Sequence, residues 1–139
     1  MTFLTSGLVE TAKPTAKVLV VDDSNELLGL IGAWLQDEGY ILFTATSGVQ
    51  ALDIARSHDP DIVLLDVVIP PPDGFTVCES LQHLDHPPEI ILMTGLSDPL
   101  RLRRVDELGG LVLLRKPLTS DVVLDSVRQA ALRRAATSA

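Results

Sequence analysis

Ile62-Val63-Leu64-Leu65-Asp66, followed by Val67-Val68-Ile69-Pro70-Pro71-Pro72-Asp73-Gly74, is the stretch on which the fold turns. Four consecutive apolar residues end at a carboxylate, and a proline-rich loop follows. A run that is apolar at every position, rather than alternating with polar residues, marks a strand covered on both faces, as in a parallel sheet packed between helices.

Runs of the same texture recur at Val18–Val21, Ile41–Phe43, Ile90–Met93 and Leu111–Leu114. The stretches between them have helical spacing. Leu27, Ile31, Trp34 and Leu35 form an apolar stripe opposite Asn25, Gln36 and Asp37, Trp34 reads as core, and Gly39 stands where a C-cap glycine would. Ser97-Asp98-Pro99 reads as a helix start, and Thr119-Ser120-Asp121 caps another helix ahead of Val123, Val127 and Ala131. Strand and helix therefore alternate five times, which predicts an α/β fold with a doubly wound, five-stranded parallel sheet.

Length and composition agree. A chain of 139 residues suits one domain, and 46% hydrophobic with only 4% aromatic residues points to a core of Val, Leu and Ile. Met1–Ala16, rich in Thr and small residues, reads as a flexible arm, residues 17–134 as the domain and 135–139 as a flexible tail. The net charge of −8 is uneven: residues 1–94 carry 3 basic and 14 acidic side chains, residues 95–139 carry 8 basic and 5 acidic. Such a balance offers no electrostatic footprint for direct nucleic-acid or membrane binding. A single cysteine, Cys78, excludes an internal disulfide framework, and no run approaches the roughly 20 apolar residues that span a bilayer. With no basic leader, a soluble, cytoplasmic protein is expected.

The informative feature is what ends each run: Asp22 and Asp23 after the first, Asp66 after the third, Thr94 after the fourth, Arg115 and Lys116 after the fifth. Ligands of open parallel sheets bind beyond the carboxyl ends of the strands, so these groups should converge on one crevice. Three carboxylates brought together repel one another unless a cation neutralises them, and all-oxygen ligation suits Mg²⁺. One of the aspartates could take a phosphoryl group as an acyl phosphate, with Lys116 balancing charge and Thr94 donating a hydrogen bond.

Asp22-Asp23, the stretch from Asp66 to Gly74, Thr94-Gly95 and Lys116-Pro117 resemble the receiver domain of two-component response regulators, in order and over about residues 17–134. The resemblance implies strand order 2-1-3-4-5, with Asp66 as the phosphoacceptor for a phosphohistidine on a sensor histidine kinase or phosphotransfer protein. It implies Mg²⁺ held by Asp22, Asp23, Asp66 and the Val68 backbone carbonyl, and a phosphoryl site completed by Thr94, Gly95 and Lys116. The Lys116–Pro117 bond would be cis, and downstream protein targets would dock on the face formed by helix 4, strand 5 and helix 5.

Some positions depart from the family pattern. Leu113 occupies the switch position where the family usually carries an aromatic residue, and Leu111 and Val112 stand where dimerising members carry acids. Pro71 and Pro72 extend the usual single proline. Val68 and Leu96 are apolar where access of water is tuned, which predicts slow autodephosphorylation. Arg101, Arg103 and Arg104 on the fourth helix form either a solvated face or a docking patch. Cys78 reads as a small buried hydrophobe, and His58, His83 and His86 lack the surrounding ligands that a metal centre needs.

Two other functions compete with a phosphorylation-switched module: a scaffold that binds regardless of phosphorylation, and a receiver piece of a hybrid histidine kinase, against which the Met1 start and the short tail argue. An aspartyl phosphatase wants two aspartates two apart on strand one, and flavodoxin a Thr/Ser-rich loop where this chain has Asp22-Asp23-Ser24-Asn25-Glu26.

Overall fold

Five strands alternate with five helices among the described residues: β1 (Lys17–Val21), α1 (Asn25–Asp37), β2 (Ile41–Ala45), α2 (Gly48–His58), β3 (Ile62–Asp66), α3 (Gly74–Gln82), β4 (Glu89–Thr94), α4 (Pro99–Glu107), β5 (Val112–Arg115) and α5 (Ser120–Ser138). The computed structural model describes residues 16–95, 99–109 and 111–138. Residues 1–15 of the arm expected over 1–16, the Ser97-Asp98 cap and Leu96 lie outside them, whereas Ala16 is tied to the sheet, its carbonyl accepting the Ile41 N–H at 3.0 Å.

All neighbouring strands are parallel, in the order β2-β1-β3-β4-β5. The apolar runs work as their texture predicts. Leu19, Val21, Val63, Leu65 and Leu92 point to one face, against Ala51, Ala55, Phe75, Cys78, Leu81 and Val105 of α2, α3 and α4. Val18, Val20, Ile62, Leu64, Ile91 and Met93 point to the other, against Ile31, Leu35, Val123, Val127 and Ala130 of α1 and α5. Only the central strands are buried along nearly their whole length, whereas the edge strands β2 and β5 leave Ile41, Thr44 and Arg115 exposed.

Short polar side chains start the helices. Ser24 Oγ accepts the Leu27 N–H at 3.2 Å, and Asp73 Oδ1 accepts the Thr76 N–H at 2.9 Å. At α2 the cap is reciprocal: Ser47 Oγ accepts from Gln50 N at 3.2 Å while Gln50 Oε1 accepts from Thr46 N at 2.7 Å. Gly39, at φ 95°, takes the left-handed position that ends α1.

Two expectations need correction. Trp34 is half-buried at the rim of its cluster, because Leu28, Ile31, Gly32 and Leu35 fill the inward side of α1 and residue 34 stands about 100° around the helix from Leu35. The tail expected from 135 is helical through Ser138. Ala135 and Ala136 are strong helix formers, and ion pairs from Arg133 to Glu89 (2.8 Å) and from Arg134 to Asp61 (3.7 Å) anchor the turn before them.

Candidate functional site

Register alone brings the acidic residues together. Val21 pairs with Leu65, so one step further Asp22 and Asp66 emerge side by side at the carboxyl edge of the sheet. Asp66 pairs with Met93 and Thr94 with Arg115, which sets the remaining strand ends along the same edge.

The two buried carboxylates are each held from two directions. Asp22 is 1% exposed; its Oδ1 accepts from Ser24 N at 2.9 Å and its Oδ2 from Lys116 Nζ at 2.7 Å. Asp66 is 4% exposed; its Oδ1 accepts from Val68 N at 3.0 Å and its Oδ2 from Lys116 Nζ at 2.9 Å. Lys116 is fixed at its own backbone, where its N–H donates to Thr94 O at 2.8 Å. The Lys116–Pro117 bond is cis, as is Pro71–Pro72, which the sequence reading did not anticipate. Thr94 is buried, Gly95 is exposed beside the Lys116 side chain, and Asp23 is exposed. The Val68 side chain is 45% exposed, and Leu113 is partly buried against the α2–α4 side of the core.

The electrostatics follow from burial. Burial pushes Asp66 above the ordinary carboxylate range, against the hydrogen bonds from Lys116 and Val68 that favour its charged form. Burial also pulls Lys116 down, but the hydrogen bonds and charges of Asp22 and Asp66 outweigh it, and its ammonium ends above the usual lysine value. Lys116 thus supplies part of the neutralisation that three carboxylates require.

The donor set suits a hard divalent cation. Asp22, Asp23 and Asp66 each offer an oxygen within 4.8 Å of the others, close to the ~4 Å across an octahedral Mg²⁺ site, so a bound ion could be reached directly or through one of the waters that Mg²⁺ retains. No other grouping of three such ligands occurs among the described residues. His83 Nδ1 lies 2.7 Å from Glu79 O, and His58 stacks on Phe43 at 4.7 Å. Cys78 is fully buried, and burial pushes its thiol up to about 11.

Two glycines shape the site without having announced themselves as functional. A Cβ on Gly74 would sit 2.3 Å from Asp66 O and 2.5 Å from Val67 Cα, so only glycine lets α3 begin against the backbone at the end of β3. A Cβ on Gly48 would lie 2.1 Å from Pro72 O, which seats α2 on the proline loop. Gly74 was visible as the end of the quoted motif, whereas nothing in the sequence pointed to Gly48.

Fold and site together define a flavodoxin-like α/β domain with an acidic crevice at the carboxyl ends of its strands. The chain belongs to the response regulator receiver domain family, whose profile matches residues 18–128. It is 35% identical over 113 residues to sporulation initiation phosphotransferase F of Bacillus subtilis (strain 168), covering 81% of this chain and 91% of that one. It is 29% identical over 111 residues to the chemotaxis protein CheY of Halobacterium salinarum, covering 80% and 92%. Among solved structures, the chemotaxis response regulator CheY4 of Vibrio cholerae superposes with a TM-score of 0.77 at 28% identity, covering 84% of this chain and 99% of that one.

Receiver domains of two-component systems are signalling phosphoacceptors that bind Mg²⁺ at an acidic cluster and interact with histidine kinases or phosphotransfer proteins and with downstream targets. No helix among the described residues is long and apolar enough to cross a membrane.

Proposed function

We propose that this chain accepts a phosphoryl group onto Asp66 from a phosphohistidine of a sensor kinase or phosphotransfer protein, and that the modified form switches the binding of a downstream protein. The observation that carries the reading is the Asp66 carboxylate itself: nearly buried, at the end of β3, bridged by Lys116 to Asp22 and within ligand reach of Asp22 and Asp23.

In this reading a carboxylate oxygen of Asp66 attacks phosphorus, the bond from phosphorus to the donor imidazole breaks, and its electron pair leaves with the imidazole nitrogen. Asp22, Asp23, Asp66 and the Val68 carbonyl would hold Mg²⁺, which would supply charge neutralisation where an anionic group meets three carboxylates. Lys116 pairs with phosphoryl oxygens in place of its bond to Asp66, Thr94 donates its hydroxyl, and the exposed Gly95 leaves the approach open. The acyl phosphate carries a charge of about −1.5 to −2 in place of the single charge of the Asp66 carboxylate. The exposed apolar side chain of Val68 offers no hydrogen bond to an attacking water, which favours a long-lived acyl phosphate.

Incubation with Mg²⁺ and acetyl phosphate, followed by intact mass measurement, tests the reading. One phosphoryl adduct is expected on the wild type and none on Asp66→Asn or in excess EDTA. A folded wild type that takes no adduct, while still binding Mg²⁺, favours the phosphorylation-independent scaffold, for which the missing ring at Leu113 speaks.

A further inference from the structure

We infer that Arg104 is a positioning residue that ties α4 to the loop carrying the phosphorylation signal, so that α4 responds to Asp66 through α3. The inference rests on the phosphoacceptor reading above and deepens it.

The contacts form an unbroken series. Gly74 stands against the backbone of Asp66 and Val67, and its N–H donates to Val67 O at 3.1 Å. Phe75, the next residue, is buried with its ring in the core. The Arg104 guanidinium of α4 lies over that ring, with Cζ 5.4 Å from its centroid, and Arg104 NH2 reaches Glu79 Oε1 of α3 at 3.3 Å. One side chain of α4 therefore grips both the first residue after Gly74 and a residue one turn further along α3.

Among the described side chains, the other polar tie from α3 comes at the far end of α4, where Gln82 Nε2 donates to Leu108 O at 3.2 Å, well away from the 67–74 loop. Of the described α4 side chains only Val105 is buried; Leu102 is partly buried, and Arg103, Asp106 and Glu107 are exposed. Leu113, on the strand beside β4, carries no ring to swing inward behind Thr94. A shift of the 67–74 loop, by contrast, is delivered to Phe75 through Gly74, where even one methyl group has no space. Both Arg104 and Glu79 are about half exposed, so the clasp is a weak bond that can be remade, as a switching contact must be.

The test is amide hydrogen exchange of the α4 peptides in the full chain, with Mg²⁺ alone and with Mg²⁺ plus acetyl phosphate, the extent of phosphorylation being read by intact mass. In the wild type, phosphorylation changes α4 protection at least about fivefold, the lower end of common coupling strengths. In Arg104→Met, which keeps the stem and removes the guanidinium, the change falls below about twofold at the same extent of phosphorylation. Arg104→Lys, which keeps the charge but loses the planar contact with the ring, gives an intermediate response.

Val105→Ala separates coupling from mere loosening: it lowers α4 protection in both states and keeps the response to phosphorylation. An undiminished response in fully phosphorylated Arg104→Met, an α4 that never responds in the wild type, or a response abolished equally by Val105→Ala overturns the inference while leaving the phosphoacceptor reading intact. A wild type that takes no phosphoryl group overturns both.

Discussion

The Lys116 ammonium lies 2.9 Å from Asp66 Oδ2, although the two residues stand 50 apart in the chain, Asp66 at the end of β3 and Lys116 just beyond β5, with β4 between those strands. The same nitrogen reaches Asp22 at 2.7 Å, so one cation holds two buried carboxylates that would otherwise face each other unscreened. Lys116 offsets one of three negative charges, and the third carboxylate, Asp23, stands exposed at the edge of the site.

Replacing that cation should cost stability. Lys116→Met leaves both carboxylates without their shared donor, and a loss of about 1–3 kcal/mol at pH 7 is expected from urea denaturation. The folded-state pKa of Lys116 is raised, so its contribution is fully present below the ordinary lysine value of 10.5 and disappears as pH rises through the folded value. At acid pH the penalty of the substitution shrinks, because the facing carboxylates take up protons.

Asp66 works in the opposite direction. Burial raises its pKa in the folded state, so the folded chain holds this proton more readily than the unfolded one, and ionised Asp66 costs stability as pH rises from the ordinary value of 3.8 through the folded value. Asp66→Asn should therefore melt higher than the wild type at pH 7, by a few degrees if the gain is about 1 kcal/mol. The advantage should fade below pH 3.8. An unchanged or lower melting temperature at pH 7 would show that the salt bridge outweighs the burial.

Mg²⁺ should stabilise the folded chain by mass action, about 2.7 kcal/mol at 100 times its dissociation constant. Because Asp23 is exposed, Asp23→Asn should leave the stability without Mg²⁺ within about 0.5 kcal/mol of wild type and yet remove most of the Mg²⁺-induced stabilisation. Differential scanning calorimetry with and without Mg²⁺ reads both quantities.

Two glycine substitutions should diverge in sign. Gly74→Ala forces a methyl group into Asp66 O and should destabilise by about 1–3 kcal/mol. Gly29→Ala, in the middle of α1 with nothing within 4 Å of the added carbon, should stabilise by about 0.5–1 kcal/mol. Guanidinium unfolding of the two variants beside the wild type decides both.

The architecture was legible because its signals are local. Runs such as Val18–Val21 and Ile62–Leu65 reveal two-sided burial directly, and each ends on a polar residue that the sheet must present at its carboxyl edge. Asp22, Asp23, Asp66, Thr94 and Lys116 could be named for the same reason. What escaped the sequence depends on contacts between distant elements. Whether Trp34 sits inside or at the rim is set by which side of α1 meets β1 and β2, a matter of degrees around the helix. Gly48 is needed only because Pro72 O arrives beside it, 24 residues later in the chain, and Arg104 has a role only once Phe75 and Glu79 stand beneath it. The helix beyond 134 was missed because alanines at a chain end read equally well as a tail, and the ion pairs of Arg133 with Glu89 and Arg134 with Asp61 just before them join residues more than 40 positions apart.

The central claim, that Asp66 is the residue that carries the phosphoryl group, is tested most directly by borohydride reduction of the chain after incubation with Mg²⁺ and acetyl phosphate. An acyl phosphate is reduced to the alcohol, so peptide mass spectrometry should find homoserine in place of aspartate at position 66 and unaltered aspartate at 22, 23 and 73. Homoserine at any of those other positions, or at none, would contradict the account.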